Sequence, residues 1–374
     1  MDEAAAFPRM NIRALVLAFI IGLLVSCAQA PQSPDKTSGK LLAYPPPPEE
    51  PRLVYERSIY TSADVVADEA VSEFRRMVTG EARSGEGLAK PYAVAVRQGR
   101  IYVSDSVERF IKAFDIPTGK YFRIGVEEPG QLTKPLGIDV DEAGNLYVAD
   151  ATVKAVVVYD KDGKFLRKIG GRKNFERLTS VAVEPKGDRV YVVDIGGVNS
   201  EEHRVRVFDA VNGNHLFDIG KRGKENGEFN LPRDVAVTKD AIYVVDGGNF
   251  RVQAFDRQGK FLRSFGSVGR QYGQFARPKE IAADHDGNLY IVDTAFGNFQ
   301  IFDGQGQLLL FVGERSERDG PGKYMLPSGI SVDEDGRVYM VDQWFKKIDI
   351  YRPAHMKATD GKLVRKSGPG TPAK

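Results

Sequence analysis

The sequence predicts an all-β protein, a six-bladed β-propeller with four-stranded antiparallel blades. An alternating apolar phrase that ends in Asp recurs six times, at a spacing of 44 to 52 residues, which is typical of propeller blades. Each copy continues with further short alternating strands, and 39 glycines are available for the turns between them. Four such strands cannot cover both faces of their own sheet, so the copies are expected to stack radially around a centre.

The recurring phrase predicts the second strand of each blade. It ends at Asp105, Asp150, Asp194, Asp246, Asp293 and Asp342. An apolar inner strand precedes each phrase, and the third copy carries an insertion around Gly196 to His203. Because the Asp repeats in every blade, we expect it to accept backbone N–H groups of the following turn rather than to do chemistry.

The ends of the chain are predicted to close the ring. The sixth copy lacks its outer strand, and Arg52 to Tyr60 resembles the outer strands of the other copies, so this N-terminal strand should complete the last blade. Ala63 to Thr79 has apolar residues at helical spacing, with Ser62 as the N-cap, which predicts one short helix on the ring. The propeller is expected over residues 52–352, followed by a flexible basic tail over 353–374.

The first residues predict export and lipid anchoring. Residues 1–26 are expected to be a signal peptide, because the apolar run Ala14 to Val25 is too short to span a bilayer. The run ends in Leu-Val-Ser-Cys, which resembles the bacterial lipobox, so Cys27 would carry acyl chains that hold the protein on a membrane. Residues 27–51 are rich in proline and predict an extended tether. The expected location is the cell envelope, as an outer-membrane lipoprotein that faces the periplasm or the cell surface.

Composition excludes several classes of function. Lys plus Arg number 53 and Asp plus Glu 51, so a net charge of +2 gives no field that favours nucleic acid, and no nucleic-acid partner is expected. Cys27 is the single cysteine, which excludes an intrachain disulfide and Cys-rich metal or haem sites. The sequence has no P-loop, HExxH motif or nucleophile elbow. We therefore predict no cofactor, apart from a divalent cation considered below.

The fourth copy, Tyr243-Val-Val-Asp-Gly-Gly-Asn-Phe-Arg-Val-Gln-Ala-Phe-Asp256, resembles the NHL-repeat family of six-bladed propellers. Blades one, two and six depart from the Asn-x-Arg-Val-Gln part of that motif. The resemblance implies the fold, whereas the family's functions include binding modules, sensor domains and a few lyases. Its amidating lyases hold zinc through histidines in the channel. That activity is not expected here, because the histidines are predicted to lie apart, at His203, His215, His285 and His355.

Two acidic residues are candidates for a site at the channel mouth. Two positions after the inner-strand proline, blades four and five hold Asp234 and Glu280, where blade three holds Ser180 and the other blades hold Ala or Gly. Carboxylates on adjacent inner strands could bind a divalent cation, as similar positions do in lactonase-type propellers. The alternative that we expect is a set of ion pairs with neighbouring cations, which are Arg233, Arg277 and Lys279.

The long loops between blades are candidates for recognition. They are expected on one face of the ring and combine cations with aromatic residues, chiefly Lys221, Arg222, Arg270, Tyr272, Arg315 and Tyr324. Loops on a rigid scaffold commonly carry recognition, and this composition suits protein or glycan partners. Phe229, Phe275 and Tyr324 could instead pack between blades, since each lies just before an inner strand.

The sequence therefore favours a non-catalytic module that binds a ligand or protein, or acts as a scaffold, in the bacterial cell envelope. No catalytic residue is predicted, and the expected partners are the membrane, through Cys27, and an envelope protein or glycan. The alternative is a metal-dependent, lactonase-like hydrolase or lyase that uses Asp234 and Glu280 at the channel mouth.

Overall fold

The computed structural model describes residues 42–66, 79, 84–197 and 199–365. The predicted signal peptide, Cys27, most of the predicted tether and most of the predicted helix lie outside these residues. Within the described part of the chain, no helix has the length and apolar character needed to cross a membrane.

Six antiparallel sheets form a six-bladed β-propeller, which confirms the predicted fold class. Two strands precede the first complete blade, β1 (Ala43–Tyr44) and β2 (Leu53–Ile59). Blade one comprises β3 (Pro91–Arg97), β4 (Arg100–Asp105), β5 (Phe110–Asp115) and β6 (Lys120–Ile124); blade two β7 (Pro135–Val140), β8 (Leu146–Asp150), β9 (Ala155–Tyr159) and β10 (Phe165–Ile169); blade three β11 (Leu178–Val183), β12 (Arg189–Asp194), β13 (Arg204–Asp209) and β14 (His215–Ile219). Blade four comprises β15 (Pro232–Val237), β16 (Ile242–Asp246), β17 (Arg251–Phe255) and β18 (Phe261–Phe265); blade five β19 (Pro278–Ala283), β20 (Leu289–Asp293), β21 (Asn298–Phe302) and β22 (Leu308–Val312). A short parallel pair, β23 (Glu314–Arg315) and β24 (Lys323–Tyr324), leads to blade six, which contains β25 (Pro327–Val332), β26 (Val338–Asp342) and β27 (Lys347–Pro353).

The apolar core is divided among the spaces between blades. Each pair of neighbouring blades encloses a cluster of buried apolar side chains, including the pair formed by blades six and one. The second and third strands of a blade are buried on both faces, as in β8 and β9, where every residue is buried. Radial stacking thus supplies the cover that an isolated four-stranded sheet lacks.

The N-terminal strand closes the ring as predicted. β2 pairs antiparallel with β27, in a register from Leu53 opposite Pro353 to Ile59 opposite Ile348. A fifth strand, β1, then extends blade six, and the ring of Tyr44 packs edge-on against Tyr351 with centroids 5.9 Å apart. The last ten residues of the predicted tether therefore belong to the propeller, because Tyr44 finds aromatic packing there.

The segments flanking the propeller differ from prediction. A 3-10 helix covers Ser62–Asp64, and its N-cap is Thr61 rather than Ser62, with the Asp64 carboxylate accepting the Thr61 N–H at 2.8 Å. At the other end, the predicted flexible tail packs on the ring as far as residue 365. Leu363 is only 4% exposed in the cluster between blades six and one, and burial of this apolar side chain orders the segment.

Loops on one face of the ring will be called the loop face. It includes the segments that precede the inner strands, at residues 84–90, 125–134, 170–177, 220–231, 266–277 and 313–326. It also includes the turns between the second and third strands, at residues 106–109, 151–154, 195–197, 199–203, 247–250, 294–297 and 343–346. The hairpins that join third to fourth strands lie on the opposite face of the ring.

Candidate functional site

The repeated aspartates hold the loop face together. In blade one, the Asp105 carboxylate accepts N–H groups from Ala89 and Lys90, before the inner strand, and from Val107 and Glu108, in the turn that follows. The same four-amide arrangement recurs at three further aspartates, Asp150, Asp293 and Asp342. The repeated Asp is therefore structural, as its presence in every blade indicates.

The six inner strands surround a central cavity of about 200 Å³. Asp234 and Glu280 both line it, together with Ser180, so the structure brings together the acidic pair that the sequence singled out. A third carboxyl group, on Asp139 of blade two, lines the same cavity. These three carboxyl groups come from the inner strands of three different blades, and Glu142, in the turn after β7, also lines the cavity.

The Asp234 carboxylate joins three blades. Its Oδ1 accepts the Ser180 hydroxyl of blade three, and its Oδ2 accepts the Ile281 N–H of blade five at 2.8 Å. Burial raises the pKa of Asp234 to about 6, although these hydrogen bonds act in the opposite direction. Most of the acceptor capacity of this side chain is therefore used in positioning neighbouring inner strands.

Asp139 performs the same task between blades two and three, and the sequence analysis missed it. Its two oxygens accept the N–H groups of Val140 and Val183, each at 2.8 Å. Burial raises its pKa to about 7, and the nearby Asp234 charge adds to that shift. The signal that could have revealed it is a single Asp within the otherwise apolar inner strand Pro135–Val140.

Glu280 differs from the other two acidic residues in having a free acceptor. Only 6% of the residue is exposed, and the backbone of Ile330 in blade six hydrogen bonds to the carboxyl group. The other oxygen, Oε1, is buried and has no hydrogen-bond partner in the described part of the chain. Burial, reinforced by the Asp234 charge, raises the pKa of Glu280 well above its ordinary value.

The expected ion pairs around these carboxylates are not formed. Among the described residues, no Lys or Arg nitrogen lies within 4 Å of Asp234 or Glu280. Arg233 and Arg277 are exposed, whereas Lys279 lies over the Tyr92 ring of blade one, with Nζ 4.4 Å from the centroid. Consecutive side chains of a strand point to opposite sides, so a cation that directly precedes a carboxylate in sequence is poorly placed to pair with it.

The described residues contain no group of three or more His, Cys, Asp or Glu side chains placed to hold a metal ion. No three of their histidines converge on one site. His203 is buried and accepts the Leu231 N–H at 3.2 Å, and His215 bonds to Asp218 at 2.6 Å. His285 and His355 are exposed beside a groove that Pro45 also lines. At the channel, Asp234 and Glu280 would provide two side-chain ligands for a divalent cation.

Some predicted recognition residues are packed rather than available. Tyr324 is fully buried, and its hydroxyl bonds to that of Tyr351 at 2.5 Å. Its predicted binding role is therefore corrected to a packing role, and Phe229 and Phe275 are likewise fully buried. Each of these rings precedes an inner strand, where the adjoining blade covers it.

The remaining loop candidates lie at the surface. Tyr272 is 67% exposed and stacks on Phe311, with ring centroids 4.1 Å apart. Lys221 pairs with Glu228 at 3.4 Å, and Arg270 is exposed. Arg222 donates to the Ser200 carbonyl at 3.2 Å and Arg315 to the Thr294 carbonyl at 3.4 Å, so both help to shape the loops.

The match to a known family model covers blade four and the segment just before it. Residues 229–255 match the NHL repeat model. This stretch includes Arg251 and Gln253, which bond to the Asp246 carboxylate at 2.9 and 3.1 Å and to the Glu228 carbonyl at 3.1 and 2.7 Å. The motif residues therefore serve the architecture of the blade.

Similar proteins support the fold and leave the function open. Protein brain tumor of Drosophila melanogaster is 28% identical over 138 residues, which are 36% of this chain and 12% of that protein. A structural-genomics protein from Bacteroides thetaiotaomicron superposes with a TM-score of 0.60 at 16% identity, covering 81% of this chain and 76% of that one. A gluconolactonase from Xanthomonas campestris gives a TM-score of 0.53 at 16% identity, covering 80% and 98%. At such identities the structural likeness shows the fold alone.

Proposed function

We propose that this protein is a non-catalytic binding or scaffolding module of the bacterial cell envelope, and that its loop face contacts the partner. The observation that carries the proposal is the use of the channel carboxylates. Asp139 and Asp234 accept backbone N–H groups from the next blade, so they brace the ring. The loop face, in contrast, presents exposed cations and aromatic rings such as Arg270 and Tyr272 on this rigid support.

Lipid anchoring at Cys27 is part of the proposal and is supported by the sequence alone. Acyl chains on Cys27 would hold the propeller at a membrane through residues 28–41. Cys27→Ser should yield a soluble or uncleaved precursor in membrane fractionation. A mature Cys27→Ser protein that still fractionates with membranes would contradict the anchor.

Affinity capture of the full-length protein from solubilised membranes tests the binding role. A reproducible partner should be recovered that is lost from the Arg270→Glu, Tyr272→Ala variant and retained by Lys164→Glu, a substitution on the opposite face. Recovery of no partner, or equal recovery with both variants, would contradict the proposed use of the loop face.

The alternative is a metal-dependent lactonase-like hydrolase, which the free Glu280 Oε1 beside the cavity favours. Asp234 and Glu280 would hold a divalent cation, which would polarise a carbonyl group of the substrate. Lactone hydrolysis that requires added Ca²⁺, Mn²⁺ or Zn²⁺ and disappears in Asp234→Asn, Glu280→Gln would establish this alternative.

A further inference from the structure

Unpaired cations surround the channel mouth on the loop face. Lys90, Lys134, Arg177 and Arg277 directly precede the inner strands of blades one, two, three and five, and Arg233 lies near the start of the inner strand of blade four. All five side chains are exposed. Within the described part of the chain, none has a carboxylate oxygen within 4 Å. These five residues will be called the cationic rim.

The fold holds four of these cations at equivalent positions. The backbone N–H of each residue that precedes an inner strand donates to the repeated Asp of its own blade, over 2.8 to 3.0 Å. The Asp carboxylates are fully buried and engaged with the backbone, so they fix the main chain and leave the cationic side chains in solvent. The fold therefore fixes the main-chain positions from which these positive charges project.

The rim extends towards the centre of the mouth. Lys279 reaches from blade five to the Tyr92 ring of blade one. Burial lowers the pKa of Lys279 to about 8; Glu280 opposes this shift, while Arg233 and Lys90 add to it. Because Lys279 and Tyr92 belong to the inner strands of blades five and one, this contact lies at the opening that the rim surrounds.

Blade six interrupts the positive charge with an apolar sector. Leu326 occupies the position that holds a cation in four other blades, and it is exposed. Trp344, in the adjoining turn of the same blade, is 61% exposed. Exposed apolar side chains beside unpaired charges are typical of a recognition surface.

We propose that the cationic rim binds an acidic polypeptide segment whose carboxylates contact Arg177 and Arg233 and whose apolar side chain packs on Leu326 and Trp344. This inference deepens the proposed function and rests on it. Arg forms bidentate hydrogen bonds with carboxylates, and several such contacts act together where one exposed ion pair would contribute little.

A polypeptide fits this surface better than a nucleic acid does. The cations are distributed around a ring and are not aligned along a groove that could follow a phosphate backbone. The net charge of +2 gives little long-range attraction for a polyanion. Carboxylates at intervals along a peptide loop, together with an apolar residue, match both parts of the surface.

The test is to pan a phage library of short random peptides on the full-length protein. The most enriched peptides are then measured by fluorescence anisotropy. Enrichment of Asp and Glu next to Leu, Phe or Trp is expected. The double variant with Arg177→Glu and Arg233→Glu should weaken binding of the selected peptide by at least about tenfold, because it replaces attraction by repulsion. The control is the double variant with Lys164→Glu and Lys260→Glu, which makes the same charge change in exposed hairpins of the opposite face and should leave binding unchanged.

Three results would overturn the assignment. These are peptides without acidic enrichment, equal affinity of the two charge-reversed variants, and tighter binding of a single-stranded RNA than of the selected peptide. Matching thermal unfolding of both variants controls for misfolding. If membrane capture yields a partner that the rim variant still binds, the rim assignment fails while the binding function stands. If the protein proves to be a metal-dependent hydrolase, the proposed function itself fails.

Discussion

Arg337 and Glu56 form an ion pair that locks the ring at its closure. Arg337 Nε donates to Glu56 Oε2 over 3.0 Å, although 281 positions separate the two residues. The Arg337 side chain is fully buried, and its Nη2 donates to the Asp360 carbonyl at 2.7 Å. One guanidinium therefore joins the N-terminal strand β2, blade six and the C-terminal segment.

Breaking this pair should destabilise the propeller strongly. Arg337→Leu leaves the Glu56 carboxylate without its partner, and removing one member of a buried pair typically costs about 3–5 kcal/mol. Urea denaturation should show that loss. Lys161→Gln breaks an exposed pair with Asp162 and serves as the control, which should leave the denaturation midpoint almost unchanged because solvent screens such a pair. Similar losses for the two variants would contradict the locking role of Arg337.

Removal of β2 should prevent closure of the ring. A chain without residues 1–41 retains β1 and β2 and is expected to unfold cooperatively. A chain without residues 1–60 loses the partner of β27, which exposes a strand edge and the side chains of Ile348 and Ile350. It should aggregate or unfold without cooperativity in calorimetry. Equal melting of the two truncations would show that β2 is dispensable.

The half-buried Asp139 should make stability depend on pH. Its pKa is about 7 in the folded protein, above the ordinary value of about 4, so ionisation opposes folding. The contribution of protonated Asp139 to the free energy of unfolding is complete below about pH 4 and is lost as the pH rises through 7. Asp139→Asn should reduce this loss by a few kcal/mol at most, because one pKa unit corresponds to about 1.4 kcal/mol. Melting curves between pH 4 and 8 measure it.

The exposed Asp188 provides the matched control for that experiment. Asp188→Asn makes the same change of side chain at the surface and shows what the loss of one carboxylate does outside the channel. The interpretation of Asp139 fails if both variants follow the wild-type pH profile.

Metal ions are expected to leave stability unchanged if the channel carboxylates act as braces. Asp234 already accepts hydrogen bonds from Ser180 and Ile281, and Ca²⁺ requires about six to eight oxygen ligands. Ca²⁺, Mn²⁺ or Zn²⁺ should produce no shift in thermal melting. A site saturated at a hundred times its dissociation constant would add about 2.7 kcal/mol. Such a gain, if abolished by Asp234→Asn, Glu280→Gln, would support the hydrolase alternative.

The repeat made most of the architecture predictable. Six copies of a phrase at regular spacing determine the blades, and the missing outer strand of blade six indicates that residues 52–60 close the ring. The individual site geometry was less accessible, because it depends on contacts across blades. One of the two amides that Asp139 accepts belongs to Val183 in the next blade, and Tyr351, which bonds to the buried Tyr324, lies in another strand.

Adjacency in sequence was also a poor guide to ion pairing at the channel. Arg233 and Lys279 precede the carboxylates by one residue and were expected to pair with them, but strand alternation separates the side chains. The short strand β1 and the packed Leu363 were missed for a similar reason. Their local sequences resemble linkers, and only the presence of blade six orders them.

The pairing of β2 with β27 makes closure of the ring depend on the two ends of the propeller. Ser58 donates to Asp349 over 2.5 Å across 291 positions of the chain, so the early strand can pair only when nearly all of the protein has been synthesised. Contacts this distant in sequence form late, because the entropy of closing so long a loop must be overcome first. Until then the edges of both strands are open to other chains, so we expect the unsealed ring to be prone to aggregation.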